Sequence, residues 1–235
     1  MKIQDVFDGA IYLSDVVQKT YAHKLTMTVG DDFSVYSDLV AQYRPTQPLG
    51  RPFDPTHTVL TGANAIWIVG RNAEGAVVHT QAMRMIDLCD QSLAQYLAHR
   101  YVDFPPPGVT IDAAASWFRA GPGAEQITGR SVYHGEMWLA DDPAYRGSGL
   151  IDALARFAFL TAALHWQPDF LFGFIVRSIA RRGLAEREGY MHSDPYCLSW
   201  AVAEKGAPID CNMVWMALRD MCHIMHVPLV DRLSA

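Results

Sequence analysis

From Val132 to Val176 long apolar runs alternate with short polar interruptions, and that pattern predicts a β-α-β unit. Val132–Ala140 is rich in aromatic and branched residues and stops at Asp141-Asp142-Pro143, where a proline cannot donate to a ladder. Within Leu150–Trp166 only Asp152, Arg156, Thr161 and His165 are clearly polar, so the predicted helix is apolar around most of its circumference and buried on more than one side. Pro168 closes it. Phe170–Val176 is a continuous apolar run of strand length, the pattern of a strand covered on both faces. A helical crossover makes the strands it joins parallel neighbours, so 132–140 and 170–176 are the expected parallel pair.

Upstream, Ile3, Val6, Phe7, Ile11, Leu13, Val16, Val17 and Tyr21 recur at roughly helical spacing and predict one helix or two short ones over 3–24. Leu25–Val29 reads as a first strand. Asp31-Asp32 is placed to cap a helix through Val35, Leu39, Val40 and Tyr43, which Pro45 ends. Pro45, Pro48, Pro52 and Pro55 make 44–58 a loop. Ala65–Val69 and Ala76–Ile86 flank the turn-like composition of 71–75 and predict a hairpin. The stretch 88–130 is longer than a simple connection: a helix over Ser92–Tyr101, the run Pro105-Pro106-Pro107-Gly108, and a second short helix around Ala113–Phe118. Such an insertion serves as a lid or substrate wall, or merely covers the sheet. Tyr196–Ala203 and Asn212–Leu218 predict a second hairpin, and Met221–Val227 begins a terminal helix. The expected fold is α/β (α+β): a mixed, mostly antiparallel sheet of six or seven strands, one parallel pair, and helices on both faces.

Composition narrows the class. At 235 residues the chain fits a single domain, 1–235, carrying the 88–130 insertion. Half the residues are hydrophobic and 19% are charged, which argues for a folded globule. A net charge of −6 gives no polyanion-binding field, so nucleic acid is not expected as a partner, and no stretch reaches the apolar length of a membrane span. The reading is a cytoplasmic protein, with a homodimer left open. Cys89, Cys197, Cys211 and Cys222 lack paired spacing, so reduced thiols are expected, with Cys197 and Cys211 placed to face each other across a hairpin. Cys222, His223 and His226 form a local cluster, but one helix alone rarely closes a metal site, and no metal is expected.

The chemistry-bearing stretch is 145–150, where two glycines surround a serine directly before the long apolar helix. Several backbone N–H groups can converge there without obstructing Cβ atoms, which makes an anion seat. Arg146-Gly147-Ser148-Gly149-Leu150, with Pro143 three residues before the arginine, resembles the pyrophosphate loop of the GNAT superfamily of acyl-CoA-dependent N-acyltransferases. Ser178 to Tyr190 resembles that family's next helix, which ends in a Gly-aromatic pair like Gly189-Tyr190. The resemblance covers roughly 65–218 in element order and is close at the level of residues only over 136–190.

That resemblance implies acyl transfer from acetyl-CoA or another acyl-CoA, acting as co-substrate, to an amine of a small-molecule or peptide acceptor. It implies a donor site formed by Tyr145, Arg146, Gly147, Ser148, Gly149 and Leu150, with Trp138, Leu139 and Ala140 meeting the pantetheine arm and Ser178 near the donor. Glu136 becomes the leading base, and Tyr190 the candidate acid, with His134, His192 and Tyr196 as substitutes. Arg177, Arg181, Arg182 and Arg187 are either a solvated face or extra phosphate contacts. The chain departs from the family at three points: Ile151 where the loop usually has Gly or Ala, Asp141 where an apolar residue is frequent, and Ala185 where the usual acidic Tyr stands. Two alternatives therefore stay open: a long-chain N-acyl synthase fed by acyl-carrier protein, and a GNAT-shaped binding or regulatory module without turnover.

Overall fold

A computed structural model describes residues 1–145, 147–203 and 206–229. Helix α1 (Ile3–Ala22) is continuous and leads through β1 (Thr26–Gly30) to α2 (Phe33–Tyr43), whose first turn is capped by the Asp32 carboxylate accepting from the N–H groups of Ser34 and Val35. Then follow the hairpin β2 (Ala65–Arg71) and β3 (Val77–Asp87), α3 (Leu93–Arg100), β4 (Ile111–Phe118), α4 (Pro122–Gln126) and β5 (Arg130–Leu139). The central unit continues through α5 (Leu150–Trp166) and β6 (Phe170–Val176), bounded as the apolar pattern predicts. The chain closes with α6 (Arg177–Ala180), α7 (Leu184–Glu188), the hairpin β7 (His192–Val202) and β8 (Ile209–Ala217), and α8 (Leu218–Ile224).

The strands form one sheet in the order β1-β2-β3-β5-β6-β8-β7-β4, antiparallel throughout except for the β5/β6 pair. α1 and α5 pack on one face around Val16, Ile68, Met83, Val132, Phe159 and Leu171. On the other face, α2 covers one half of the sheet around Tyr36 and Trp67, and α3 and α4 cover the other around Phe172, Trp200 and Met213. This is the architecture expected from the resemblance: a mixed sheet, one parallel pair, helices on both faces.

Three expectations change. The Ala113–Phe118 segment belongs to an edge strand, β4, which raises the sheet to eight strands. Its helical signal is local and real, because Asp112 accepts from the N–H groups of Ala114 and Ala115 and Ser116 Oγ donates back to the Asp112 carbonyl. That single turn bulges outward while Ile111, Asp112, Trp117 and Phe118 pair with β7, so pairing at the sheet edge overrides helix propensity. The helix expected from Ser178 onward breaks into α6 and α7 at Gly183, whose φ of 75° no helix interior holds. The second hairpin is longer than the apolar run suggests, since β7 begins at His192; part of its connection, residues 204 and 205, lies outside the described residues.

The feature that positions the site is where the parallel pairing stops. β5 and β6 pair from Ser131↔Phe170 to Tyr133↔Phe172 and then part, while each keeps its outer partner: β5 stays on β3 to His79↔Leu139, and β6 stays on β8 to Val176↔Cys211. The sheet therefore opens between its two halves. Gly173 lies at the start of the opening, and a Cβ there would stand 2.9 Å from both the His134 carbonyl oxygen and the Tyr190 hydroxyl. Gly173→Ala is expected to destabilise the protein by about 1–3 kcal/mol through overpacking, read as a lower urea midpoint with an unchanged m value.

Candidate functional site

A bulge in β5 lies beside the opening. Between Thr80↔Trp138 and Ala82↔Gly135 the ladder places Glu136 and Met137 opposite Gln81, and Glu136 takes φ 59°, a left-handed conformation that a non-glycine residue holds only when its surroundings over-determine it. Here they do. Arg44, just past the C-terminus of α2, donates through Nη1 to Glu136 Oε2 at 2.9 Å and to Thr80 Oγ1 at 3.0 Å. The Gly50 N–H donates to Glu136 Oε1 at 2.8 Å, and Thr80 Oγ1 donates to the Glu136 carbonyl at 3.2 Å. The Arg44 side chain is fully buried and that of Glu136 is 3% exposed. Burial raises the Glu136 pKa, and Arg44 with the Gly50 N–H pulls it back down. Arg84, on β3, does not join this pair: its Nη1 donates to the Pro52 carbonyl.

A cavity of about 250 Å³ fills the gap between β5 and β6, and Glu136, Met137, Gly173, Phe174 and Val176 are among its walls. Phe104 and Pro105, Pro106 and Pro107 also line it, so part of the 88–130 stretch forms a wall of this cavity. Tyr190 contributes from the far side. Its hydroxyl lies 2.9 Å from His134 Nδ1, and His134 Nε2 lies 3.0 Å from Gln81 Oε1. The direction of this chain follows from its end: the Gln81 amide nitrogen donates to the Leu154 carbonyl, so Oε1 accepts from His134 Nε2–H, and Nδ1 accepts the Tyr190 proton. Burial holds the imidazole neutral, with its pKa lowered to about 3, and raises the Tyr190 phenol well above its ordinary range.

The other sequence candidates separate. Tyr190 lines the cavity, but His192 is stacked on Trp215 and bonded to Asp220, and Tyr196 packs against Trp117 under Arg177. Ser178 is exposed on α6 and lines neither this cavity nor the two beside residues 147–151, although its neighbour Ile179 reaches the central one. Arg146 lies outside the described residues. Gly147 and Gly149 hold φ of 69° and 75°, and Gly149 is the N-cap of α5; a Cβ on Gly147 would meet nothing within 4 Å. Ser148 Oγ accepts from the Leu150 N–H and donates to the Tyr145 carbonyl, which fixes the loop.

Two cavities flank this loop and share Tyr145, Gly147, Ile151 and Arg187. One, of about 280 Å³, adds Asp152, Arg156 and Glu186; the other, of about 400 Å³, adds Leu139, Ala140, Asp141 and Asp142. The first has two arginines beside two carboxylates, the second one arginine beside two, so an anion is better accommodated on the Arg156 side. Two backbone groups expected for the pantetheine arm already have partners: the Trp138 carbonyl accepts from His79 Nδ1 at 2.7 Å, and the Ala140 N–H donates to Val78.

One group escaped the sequence reading altogether. Glu188, the last residue of α7, is 3% exposed and lines the β5/β6 cavity, and burial pushes its carboxyl up to about 8. Its sequence signal is its spacing: it falls three and four residues after Ala185 and Leu184, on the apolar face of a short helix. The four cysteines are free thiols, and Cys197 Sγ lies 3.8 Å from the Cys211 carbonyl across the β7/β8 hairpin. Among the described residues no group of three His, Cys, Asp or Glu side chains is placed to hold a metal, and no helix is long and apolar enough to cross a membrane.

No family model matches the chain, and no curated protein matches it in sequence. Solved structures similar to it include Arabidopsis thaliana NAA60 in complex with acetyl-CoA (TM-score 0.47, 10% identity, 83% of this chain and 99% of that one). A spermidine N-acetyltransferase from Vibrio cholerae with CoA and spermine (0.45, 10%, 84% and 98%) and an N-acetyltransferase from Staphylococcus aureus Mu50 (0.44, 10%, 83% and 98%) are similar to a like degree.

Two outcomes follow from the buried charges. Arg44→Met leaves Glu136 buried and unpaired, and the expected loss is about 3–5 kcal/mol at neutral pH, shrinking on acidification as the carboxyl protonates. The double variant Arg44→Met, Glu136→Met should recover much of that loss in denaturant titrations. For Glu188 the folded pKa lies above the ordinary glutamate value of 4.5, so the folded state binds the extra proton, and stability is full below about pH 4.5 and falls as pH rises to about 8. Glu188→Gln should remove that decline, which has a limiting slope of about 1.4 kcal/mol per pH unit.

Proposed function

We propose that this protein transfers an acyl group from an acyl-CoA-type thioester to a primary amine. The observation that supports the reading most directly is the opening of the parallel pair. It gives an extended ligand room between β5 and β6, with the glycine loop before α5 at one end and an aromatic-walled cavity at the other. A phosphorylated carrier arm needs that shape, because its charged head must stay near water while the thioester lies where water is excluded.

In this reading Tyr145, Gly147, Ser148, Gly149 and Leu150 present the start of α5 to the diphosphate, and Arg187 supplies a cation from α7. The arm follows Leu139 and Ala140 toward Met137. Glu136 holds the bulge that aims β5 at the thioester and is the base proposed from the resemblance, acting through water if its ion pair with Arg44 loosens on binding. Tyr190, whose proton is directed at His134, offers its oxygen lone pairs to the cavity; it becomes an acid only if the His134 chain resupplies the proton.

The donor site is tested without chemistry. Saturating CoA at 100 times its Kd should stabilise the wild type by about 2.7 kcal/mol in thermal unfolding. Gly147→Asn keeps a residue that tolerates the left-handed conformation but fills the open space above the loop, and it should weaken CoA at least tenfold with little loss of fold. Equal CoA affinity in the two proteins would exclude the seat. Wild type that binds CoA yet acylates nothing in a broad amine panel would favour the non-catalytic binding module, consistent with the tight Arg44–Glu136 pair and the apolar Ala185.

A further inference from the structure

Every ionisable group around the β5/β6 cavity except one has a protein partner or is neutral. Glu136 is held by Arg44 and Gly50. His134 is bonded through both ring nitrogens, and the phenol of Tyr190 is tied to it. Burial keeps Tyr133 protonated and pushes the Cys211 thiol up to about 12. On α5, behind Gly189, Arg156 is paired with Asp152. Arg187, on the same helix as Glu188, donates to the Arg182 carbonyl and lines the two cavities on the other side. Glu188 is more than nine-tenths buried, lines the central cavity, and has no hydrogen-bond partner or ion pair among the described residues; the nearby Arg187 charge attracts its carboxyl without pairing with it.

A buried carboxyl without a partner is costly unless something completes it. The surroundings specify what that is. Phe104, Tyr133, Phe174 and Trp200 wall the cavity, with the Phe104 and Tyr133 rings 4.8 Å apart edge to face and the Phe104 and Phe174 rings 5.9 Å apart. Aromatic faces attract cations and apolar bodies, and Glu188 has no positive charge to offer an anion. The volume sets the size: about 250 Å³ admits a single small ring with a short arm, since an apolar cavity of about 150 Å³ already binds benzene.

We propose that Glu188 is the recognition group of this cavity, and that its ligand is a small primary ammonium ion on an apolar body. This deepens the acyltransfer reading by naming the class of acceptor, but the binding itself needs no thioester. The helix places the group for it: α7 ends at Glu188, and Gly189 at φ 91° turns the chain so that Tyr190 re-enters the same cavity beside the carboxyl.

The proton linkage makes the proposal measurable. With its pKa near 8, Glu188 is protonated in the free protein at pH 6, so an entering ammonium must displace that proton. Benzylamine titrated calorimetrically into the wild type at pH 6, in buffers of different ionisation enthalpy, should bind saturably and release close to one proton per site. Its affinity should rise up to tenfold per pH unit from pH 5 toward 8. Glu188→Gln should bind benzylamine at least tenfold more weakly and release no proton, and benzyl alcohol should bind both proteins alike. Equal affinity in the two proteins, binding without proton release in the wild type, or no saturable binding of benzylamine at all would each overturn the proposal. The wild-type proton count decides the matter even if Glu188→Gln does not fold. A parallel CoA titration separates the two readings: CoA bound and benzylamine ignored removes the ammonium site alone, whereas benzylamine bound and CoA ignored removes the donor site alone.

Discussion

The buried pair of Arg44 and Glu136 is the constraint on which the site depends. A left-handed glutamate in the middle of a strand is an unfavourable conformation by about 1–3 kcal/mol, and it persists because both carboxylate oxygens and the carbonyl are held by groups from three separate segments. The bulge follows directly on the last β5/β6 pair, Tyr133↔Phe172, and carries β5 along the cavity while it stays paired with β3. A buried ion pair is weak evidence for stability in itself, because desolvation offsets most of the attraction. Its contribution here is geometric: it fixes one register and one opening.

The polar chain Leu154–Gln81–His134–Tyr190 does the complementary work from the other side of β5. Every donor in it has a defined acceptor, which sets the imidazole tautomer and anchors the Tyr190 ring against Phe159 with centroids 4.9 Å apart. Fully satisfied networks of this kind rigidify a core, so the wall facing the cavity is preorganised and the aromatic rings need not reorder when a ligand enters.

How much of this the sequence discloses depends on range. The β-α-β unit was legible because its signals are local: α5 and β6 begin and end at the residues the apolar pattern marks, and the capping of α2 by Asp32 is likewise a short-range effect. β4 carries a contrary local signal: Asp112 and Ser116 write a helical turn into a segment whose fate is decided by β7, some eighty residues away. Glu136 was legible as a candidate but its partner was not, since Arg44 is 92 positions distant and nothing in either neighbourhood announces the other. Tyr190, His192 and Tyr196 look equivalent along the chain, but Tyr190 precedes β7 and lines the cavity, His192 stacks on Trp215, and Tyr196, left-handed within the β7 bulge, packs against Trp117.

Glu188 is the more instructive omission. Read as a sequence, a glutamate in Glu-Arg-Glu beside a glycine is a solvated helix end, and its neighbour Glu186 is indeed exposed. What reverses the reading is the shortness of α7: five residues give the helix a single buried stripe, and Leu184, Ala185 and Glu188 all fall on it. A chain that places a buried carboxyl without a hydrogen-bond partner on such a stripe, next to a cavity with aromatic walls, carries a local inconsistency of the kind expected at functional sites, where stability is traded for recognition. The charges then divide along the slot by environment. Arg187 lines the cavities beside the loop before α5, whereas Glu188 is 3% exposed and lines the cavity between β5 and β6, where a buried carboxyl is placed to favour a cation over its neutral isostere.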